Sequence, residues 1–461
     1  MKHQLIEINS QVEEVKIPKQ HTLTLHNRIH KILHEIREQN DIISFESKTK
    51  KYFKMAQNPY AFYRGSNHLY WEDFFNDWRF RFFGGRPETL TWVQGDAHIY
   101  NFGAFSNHQG EVIYGLNDFD DSIVADFQYD LWRMAISIVL DARVNGIFDF
   151  KQQKAALDSF INAYLEKISF FSNREFWTEW HYTKKTTDGK LKKFLKKVEK
   201  KKSRLKMLDK WTIGEGNNRK FNLELEKLDG ISEVLNIKIK ESFIEYSKNL
   251  SSTTLANFTI LDIAERQGAG TGSLGTKRYY VLIKGDEATN HLPIILDVKK
   301  QQMPPACAKM NTEEIEEYKN TFKHEGERHM LAFKAIAEHP DQYLGWLELE
   351  DEIYSVRERS PFKEAFPTEK LKLEEDFYMI SQQWGKILAT EHQRAAYKLH
   401  KDYDPFVFSK YLVSKIHTDK EKFMFTVREI AFNYADCVEE DWRSFVNALN
   451  LEMVKHQEEN N

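Results

Sequence analysis

Between residues 22 and 40 (TLTLHNRIHKILHEIREQN), apolar side chains recur at helical spacing against a mostly charged opposite face. That pattern predicts an amphipathic helix. From Pro59 to Phe83 aromatic residues crowd together (YAFYRGSNHLYWEDFFNDWRFRFF), and rings at this density read as core packing rather than a ligand cage. The pattern changes over 91–120, where TWVQGDAHIYNFGAF and EVIYGLNDFDD read as short strands joined by polar loops. DLWRMAISIVLDARV returns to helix, with Leu131, Met134, Ala135, Ile138 and Ala142 on one stripe. Within 251–300, FTILDIAERQ, KRYYVLIKG and HLPIILDVK are β-branched or aromatic runs separated by turn material. Beyond 310 the pattern reads as helical again. Phe377, Ile380, Trp384, Ile387 and Glu391 mark one helix; Phe423, Val427, Ile430, Tyr434, Val438, Trp442, Phe445 and Leu449 mark a second, longer one.

Composition narrows the class. The 461 residues are 41% hydrophobic and 14% aromatic, enough for a large core, with only 20 Gly and 10 Pro. A turn-rich sandwich or propeller is therefore disfavoured, and a helix-rich α+β fold is expected. With 66 Lys+Arg against 70 Asp+Glu, the net charge of −4 argues against a dedicated nucleic-acid or membrane-surface binder. Two cysteines, Cys307 and Cys437, cannot build a disulfide framework. The first residues carry no apolar core of a secretory signal, and no run of 18 apolar residues occurs, so a cytoplasmic protein without a membrane partner is expected. One local excess stands out. Residues 184–206 (KKTTDGKLKKFLKKVEKKKSRLK) are strongly basic, yet Phe194, Leu195, Val198 and Leu205 keep partial helical spacing. A solvated helix or hairpin is the first reading, and an anion- or nucleic-acid-binding surface is the alternative.

The chemistry-bearing residues lie in two loops and a hairpin. In GDAHIYN, Asp96 stands five residues before Asn101, the separation found in a protein-kinase catalytic loop. In LNDFDD, Asp118 follows an apolar run, where a kinase places its metal-binding aspartate. Hard Mg²⁺ takes oxygen ligands, one or two from protein and the rest from phosphate and water. A carboxylate and an amide on adjacent loops supply such oxygens, while a second carboxylate orients the nucleophile. Asp96 fills the base position, so His98 reads as hydrogen-bonded support. Gly270, Gly272, Ser273 and Gly275 form a GxGxxG segment between two predicted strands. A Rossmann loop would open a helix instead, so the segment resembles the kinase phosphate-covering hairpin. The next strand ends at Lys299, placed like the kinase lysine that meets the α/β-phosphates, and alternation sends Lys300 to the other face. On the helix predicted next, Glu325 is favoured over Glu327 as the acidic partner of Lys299. His324 and His329 lie five apart, rotated by about 140° on a helix, which rules out a shared zinc face.

Taken along the chain, RGS at 64–66, GDAHIYNFG, LNDFDDS, DLWRMAISI, GTGSLGTKRYYVLI, EGERHM, YSVRE, ATEHQR and NYADCVEEDW resemble the bacterial family catalogued as domain of unknown function 2252. More distantly, GDAHIYN and NDFDD are similar to the aminoglycoside and choline phosphotransferases. That likeness implies Asp96 as base, Asn101 and Asp118 as Mg²⁺ ligands, and Asp130 of YDLWR as the brace of the catalytic loop. Gln94 and Asn117 depart from the phosphotransferase pattern, where a His and an aliphatic residue stand.

The implied fold is two-lobed and protein-kinase-like, with its parts circularly permuted. Residues 1–90 form an N-terminal helical segment and 91–250 carry both loops. The glycine-hairpin small lobe spans 251–365, and 366–461 complete the large lobe. The expected function is ATP- and Mg²⁺-dependent phosphoryl transfer to a hydroxyl of an unidentified, small-molecule acceptor. The alternatives are a nucleotide-binding regulatory pseudokinase, an AMP-transferring enzyme, and an anion- or nucleic-acid-binding protein working through 184–206.

Overall fold

The computed structural model describes residues 25–459, apart from 108, 147, 173–179, 249, 251–257, 269–274 and 338–339. It is an α+β, helix-rich fold with several small antiparallel sheets. The expected first helix spans Leu25–Asn40. Most of the aromatic run that follows is core: Tyr60, Phe62, Tyr63, Tyr70, Trp71, Phe74, Phe80 and Phe83 are buried, while Trp78 is exposed. The helix Gln128–Asn145 has no solvent face, since every residue from Gln128 to Ala142 is buried. A single apolar stripe was expected there. Instead the helix runs through the middle of the helical body, which a helix buried on all sides must do.

Two long helices complete that body, Glu374–Leu399 and the 40-residue Lys420–Glu459. Glu374–Leu399 lies along Phe150–Ser172, burying Ile380, Trp384, Ile387 and Leu388 in the main core. The basic segment contains the helix Gly189–Lys201, which buries Leu191, Phe194, Leu195 and Val198 and leaves Lys193, Lys196, Lys197 and Lys200 in solvent. It is the solvated helix of the first reading. Among the described residues no helix is long and apolar enough to cross a membrane.

The largest sheet has six strands, all antiparallel. Its middle is the expected trio Ile260–Arg266, Arg278–Ile283 and Ile294–Lys300. Gly345–Leu349 and Glu352–Glu358 extend it on one side, a region the periodicity assigned to helix. Alternation splits its two faces. Tyr279, Val281, Ile294, Leu296 and Val298 pack on Ile239, Phe243 and Tyr246 of the helix Glu233–Lys248. Tyr280, Leu282 and Ile295 pack on Leu208, Trp211 and Phe221. Lys299 shares a face with Ile295 by the two-residue period.

Four shorter strands carry the two acidic loops. Leu90–Val93 pairs with Ile123–Asp126, and Phe102–Ser106 pairs with Val112–Leu116.

Helix packing in the body rests on one close approach. A Cβ on Gly385 would stand 2.3 Å from the Phe160 carbonyl oxygen of the facing helix. Ala is intrinsically the better helix former by about 1 kcal/mol, but overpacking costs about 1–3 kcal/mol. Gly385→Ala should therefore lower stability in urea unfolding, by roughly 1–2 kcal/mol. A variant as stable as the parent would mean that the two helices part freely.

Candidate functional site

Strand pairing brings the two loops side by side. Val93 pairs with Ile123 and Phe102 with Leu116. Loop 94–101 and turn 117–122 therefore leave and re-enter the same two strand pairs. Cross-bonds then lock them: Gln94 Nε2 donates to the Asp118 carbonyl at 2.6 Å, Ser122 Oγ to the Gln94 carbonyl at 3.1 Å, and Asn117 N to the Asn101 carbonyl at 3.1 Å. Gly95 has φ +80, and a Cβ there would lie 2.0 Å from the Asp121 carbonyl oxygen. Only glycine fits that contact. The Asp130 carboxylate accepts from the Gln94 N–H at 2.6 Å and the Gly95 N–H at 3.0 Å, and His392 Nε2 lies 3.3 Å away. Asp130 thus holds the strand end from which Asp96 projects.

Asp96 is oriented from behind. Arg133 Nε donates to its Oδ1 at 2.7 Å, and Arg133 Nη2 pairs with the same oxygen. Arg133 is fully buried with its guanidinium over the Tyr63 and Tyr70 rings, at 4.2 and 5.0 Å from their centroids. The Asn101 amide nitrogen lies 2.9 Å from the Asp96 carbonyl and 3.4 Å from Oδ2. Its Oδ1 is left for another partner. His98 Nε2 lies 3.6 Å from Asp96 Oδ2, and burial holds the imidazole well below its usual pKa, hence neutral. Burial also raises the Asp96 carboxyl, with Arg133 pulling in the opposite direction.

The sheet meets these loops at Lys299. Its ammonium pairs with Asp120, whose Oδ1 also accepts from Gln301 Nε2 at 3.1 Å and lies 3.7 Å from His329 Nε2. Burial opposes ionisation of Asp120, yet Lys299 beside it holds its pKa well below the usual carboxylate range. Lys300 points elsewhere, to Glu352 at 2.5 Å. Asp121 accepts from Asn67 Nδ2 at 2.8 Å, and burial followed by the Asp96 charge pushes its pKa up to about 7. The Asp118 carboxylate lines the same cleft with no hydrogen bond or ion pair among the described residues.

The site residues expected from sequence are distributed as follows. Asp96, His98, Asn101, Asp118 and Lys299 line one cavity, of volume about 180 Å³. Gly270, Gly272 and Ser273 lie outside the described residues. Gly275 has φ +86, and a Cβ there would meet Ile43 Cγ2 at 2.7 Å; the next residue, Thr276, lines the cavity. Glu325 is a correction. Its carboxylate accepts from Tyr318 Oη at 2.7 Å and Arg328 Nε at 2.6 Å, so the carboxylate beside Lys299 is Asp120 instead. The helix Glu325–Ile336 contributes through Arg328, which donates to the carbonyls of Ser122 and Asp120 at 2.7 Å each.

Several residues of the site went unassigned in the sequence reading: Asn67, Asp120, Asp121, Arg133, Arg328, and the cavity-lining Lys51 and Arg64. RGSN and NDFDD displayed four of these, but their residue types alone do not specify contacts. Asn67 Nδ2 bridges the Gly95 carbonyl at 3.0 Å and Asp121. Burial lowers the Lys51 pKa to about 8.

Two outcomes test this framework. Arg328 is buried outright, and Arg328→Met would strip donors from two turn carbonyls and the partner from Glu325. A loss of about 3–5 kcal/mol in denaturant unfolding is expected; a loss below about 1 kcal/mol, the net worth of one ordinary hydrogen bond, would show that the turn holds without it. Glu391 supports Leu116, at the entry to the acidic turn, by accepting its N–H at 3.1 Å on Oε1. Its Oε2 has no partner, and burial pushes its pKa up to about 8 from the ordinary 4.5. The folded state therefore keeps a proton that the unfolded chain releases, so this group's contribution to stability falls as pH rises from 4.5 to about 8. Gln keeps the acceptor and removes the titration. The stability of Glu391→Gln relative to the parent should rise between pH 5 and 8, by up to about 1.4 kcal/mol per unit, and then level off. A difference that does not vary with pH would refute the assignment.

Comparison with known proteins places these contacts in a family. No curated protein and no solved structure matches the chain. The model of a family described as an uncharacterized protein conserved in bacteria (DUF2252) matches residues 46–448. That span includes the RGSN segment, both loops, the six-stranded sheet and most of the final helix, and the chain belongs to the DUF2252 family.

Proposed function

We propose that the protein is an ATP-dependent phosphotransferase that moves a phosphoryl group to a hydroxyl of a small-molecule acceptor, on a two-lobed, protein-kinase-like plan with its parts in permuted order. The supporting observation is convergence. Asp96, Asn101 and Asp118, from the first third of the chain, line one cleft with Lys299 from the sheet and Thr276, which precedes the strand Arg278–Ile283. Lys299 and its partner Asp120 are 179 residues apart in sequence.

The cavity's size and lining bear on what it takes. Its volume of about 180 Å³ lies below the roughly 300–1,000 Å³ of sites that bury a whole drug-sized ligand. Its walls are mainly charged and polar side chains, with Met303 and Pro305 among the apolar ones. Such a space suits the metal-polyphosphate end of a nucleotide rather than its base. Among the described residues no three His, Cys, Asp or Glu side chains converge as a metal cage. Mg²⁺ does not need one, because it is held through one or two protein oxygens plus substrate phosphates and water. Asp118, which makes no ion pair among the described residues, and Asn101 Oδ1 would hold it. When bound, Mg²⁺ neutralises charge on the transferring phosphates.

The chain's own groups have separate tasks. Arg133 engages Asp96 Oδ1, which leaves Oδ2 as the oxygen that accepts the acceptor's hydroxyl proton. Lys299 supplies positive charge to the phosphates, and Asp120 aims it, the task the sequence assigned to Glu325. Gly95 and Asp130 fix the loop so that little reorganisation accompanies transfer.

The test combines binding and turnover. Mg²⁺-ATP should raise the Tm of the wild-type chain. Asp118→Asn should lose the Mg²⁺-dependent part of that shift. Asp96→Asn should keep the shift while ATP turnover falls about 10²–10⁴-fold. Label carried to an acceptor from the γ-position identifies phosphoryl transfer, and label carried there from the α-position, with pyrophosphate leaving, identifies AMP transfer. Near wild-type ATP consumption by the Asp118 variant would overturn the metal assignment, and a Tm shift without release of either label would leave a nucleotide-binding regulator.

A further inference from the structure

Three cations of the cleft are matched to carboxylates. Arg133 is on Asp96, Lys299 on Asp120 and Lys300 on Glu352. Arg64, at the end of the helix Pro59–Gly65, has no hydrogen bond or ion pair among the described residues, and its Nε is buried without a partner. What positions it is a ring. The guanidinium carbon lies 5.3 Å from the Tyr100 centroid, while the Tyr100 hydroxyl is engaged by Asp141 at 3.1 Å and Thr368 at 2.9 Å. A guanidinium held over an aromatic face keeps its N–H edge for an anion.

Four further polar atoms of residues lining the same cleft are unsatisfied, Asn67 Oδ1 and Gln301 Oε1 among them. His68 and His98 are 7% and 2% exposed, and their Nε2 and Nδ1 respectively have no partner. Burial, named first among the causes, holds both imidazoles neutral, so each can offer a single N–H. Buried polar atoms without partners are uncommon in native structures and call for an explanation. A ligand group in the cleft supplies one.

Arg64 also lines a second cavity, of volume about 500 Å³, with Lys54, Gln57, Tyr60, Tyr100 and Asn145. None of the residues assigned above to metal or nucleotide lines that cavity. Arg64 therefore borders both cavities, and Asp96 lines the first with it.

We infer that Arg64 anchors an anionic group of the acceptor, a carboxylate or a phosphate, and so presents the acceptor's hydroxyl to Asp96. The substrate class is then a small hydroxyl-bearing anion that enters through the Tyr60–Tyr100 cavity. This rests on the phosphotransferase reading, because it takes Asp96 Oδ2 as the proton-accepting oxygen.

The experiment uses the full chain saturated with Mg²⁺ and a non-hydrolysable ATP analogue. Thermal shifts are read for glycerol 3-phosphate, D-glycerate, inorganic phosphate and neutral glycerol. At least one of the first three should stabilise the wild type while glycerol does not, and the phosphate and carboxylate arms separate the two anion sources. Arg64→Gln should weaken that anion by about ten- to a hundredfold and keep the shift produced by the nucleotide; Arg64→Lys should recover part of the affinity. Melting without ligand checks that both variants fold. If Arg64→Gln instead loses the nucleotide shift, Arg64 serves the donor phosphates and the inference falls. It falls equally if glycerol matches the anions, or if none of the three anions shifts the wild type. A wild type that ignores the nucleotide overturns the phosphotransferase reading itself, a separate result.

Discussion

A buried guanidinium ties the acidic turn to the rest of the molecule. Arg328 reaches the carbonyls of Asp120 and Ser122 from a helix that also packs on the sheet and on the main helical core. Gly326, two residues earlier, allows that packing, since a Cβ there would meet Trp346 Cβ at 2.6 Å and Ile353 Cγ2 at 2.7 Å. One short helix thus grips the sheet by its first turn and the turn 117–122 by its next residues. The meeting of Lys299 with Asp120 depends on this, because Lys299 lies in the six-stranded sheet and Asp120 in a turn between strands of two other sheets. Burying an arginine among carbonyl oxygens is costly unless every donor is used. Here Glu325 supplies the compensating charge, which accounts for an acidic residue at that position although Lys299 does not need it.

The loops were legible in the sequence because their chemistry is local. An aspartate and an asparagine five residues apart, then three carboxylates in NDFDD, mark themselves by residue type and spacing. The trio of strands ending at Lys299 was legible for a similar reason, as β-branched runs between turns. The hairpin Gly345–Leu349 and Glu352–Glu358 was not. Its turn residues Glu350 and Asp351 adopt φ +54 and +61, a conformation that glycine or asparagine usually announces. Without that signal, ELEDE reads as a charged helical stretch. The helix Gln128–Asn145 shows the complementary failure: Arg133 and Asp141 look like a solvent face in the sequence, yet both are buried through partners that are distant in sequence.

The partner of Lys299 illustrates how far spacing alone can go. A strand lysine followed by a helix with several glutamates suggests a local pair. Which carboxylate meets the ammonium is decided by the face of the sheet that Lys299 shares with Ile295 and by the height of the turn held by Arg328. Both are tertiary facts. Asp120 was in view within NDFDD, but Asp118, Asp120 and Asp121 differ only by where each points: one into open cleft, one to Lys299, one to Asn67.

Those three directions also separate framework from function. A carboxylate with a full set of partners stabilises the fold as it stands. Asp130, with two backbone N–H groups and His392, is of that kind. Asp120 is intermediate, shared between Lys299, Gln301 and His329 at the border of the cleft. Asp118 and Arg64 are of the other kind, a carboxylate and a guanidinium lining one small cavity without pairing to each other or to any described residue. At an effective dielectric near 20, opposite unit charges 4 Å apart attract by about 4 kcal/mol. A cavity that only needed to be stable would bring the two together. The ring of Tyr100 lies under the Arg64 guanidinium instead, so the fold keeps both charges on one cavity, an arrangement that the proposed cation and anionic acceptor would complete.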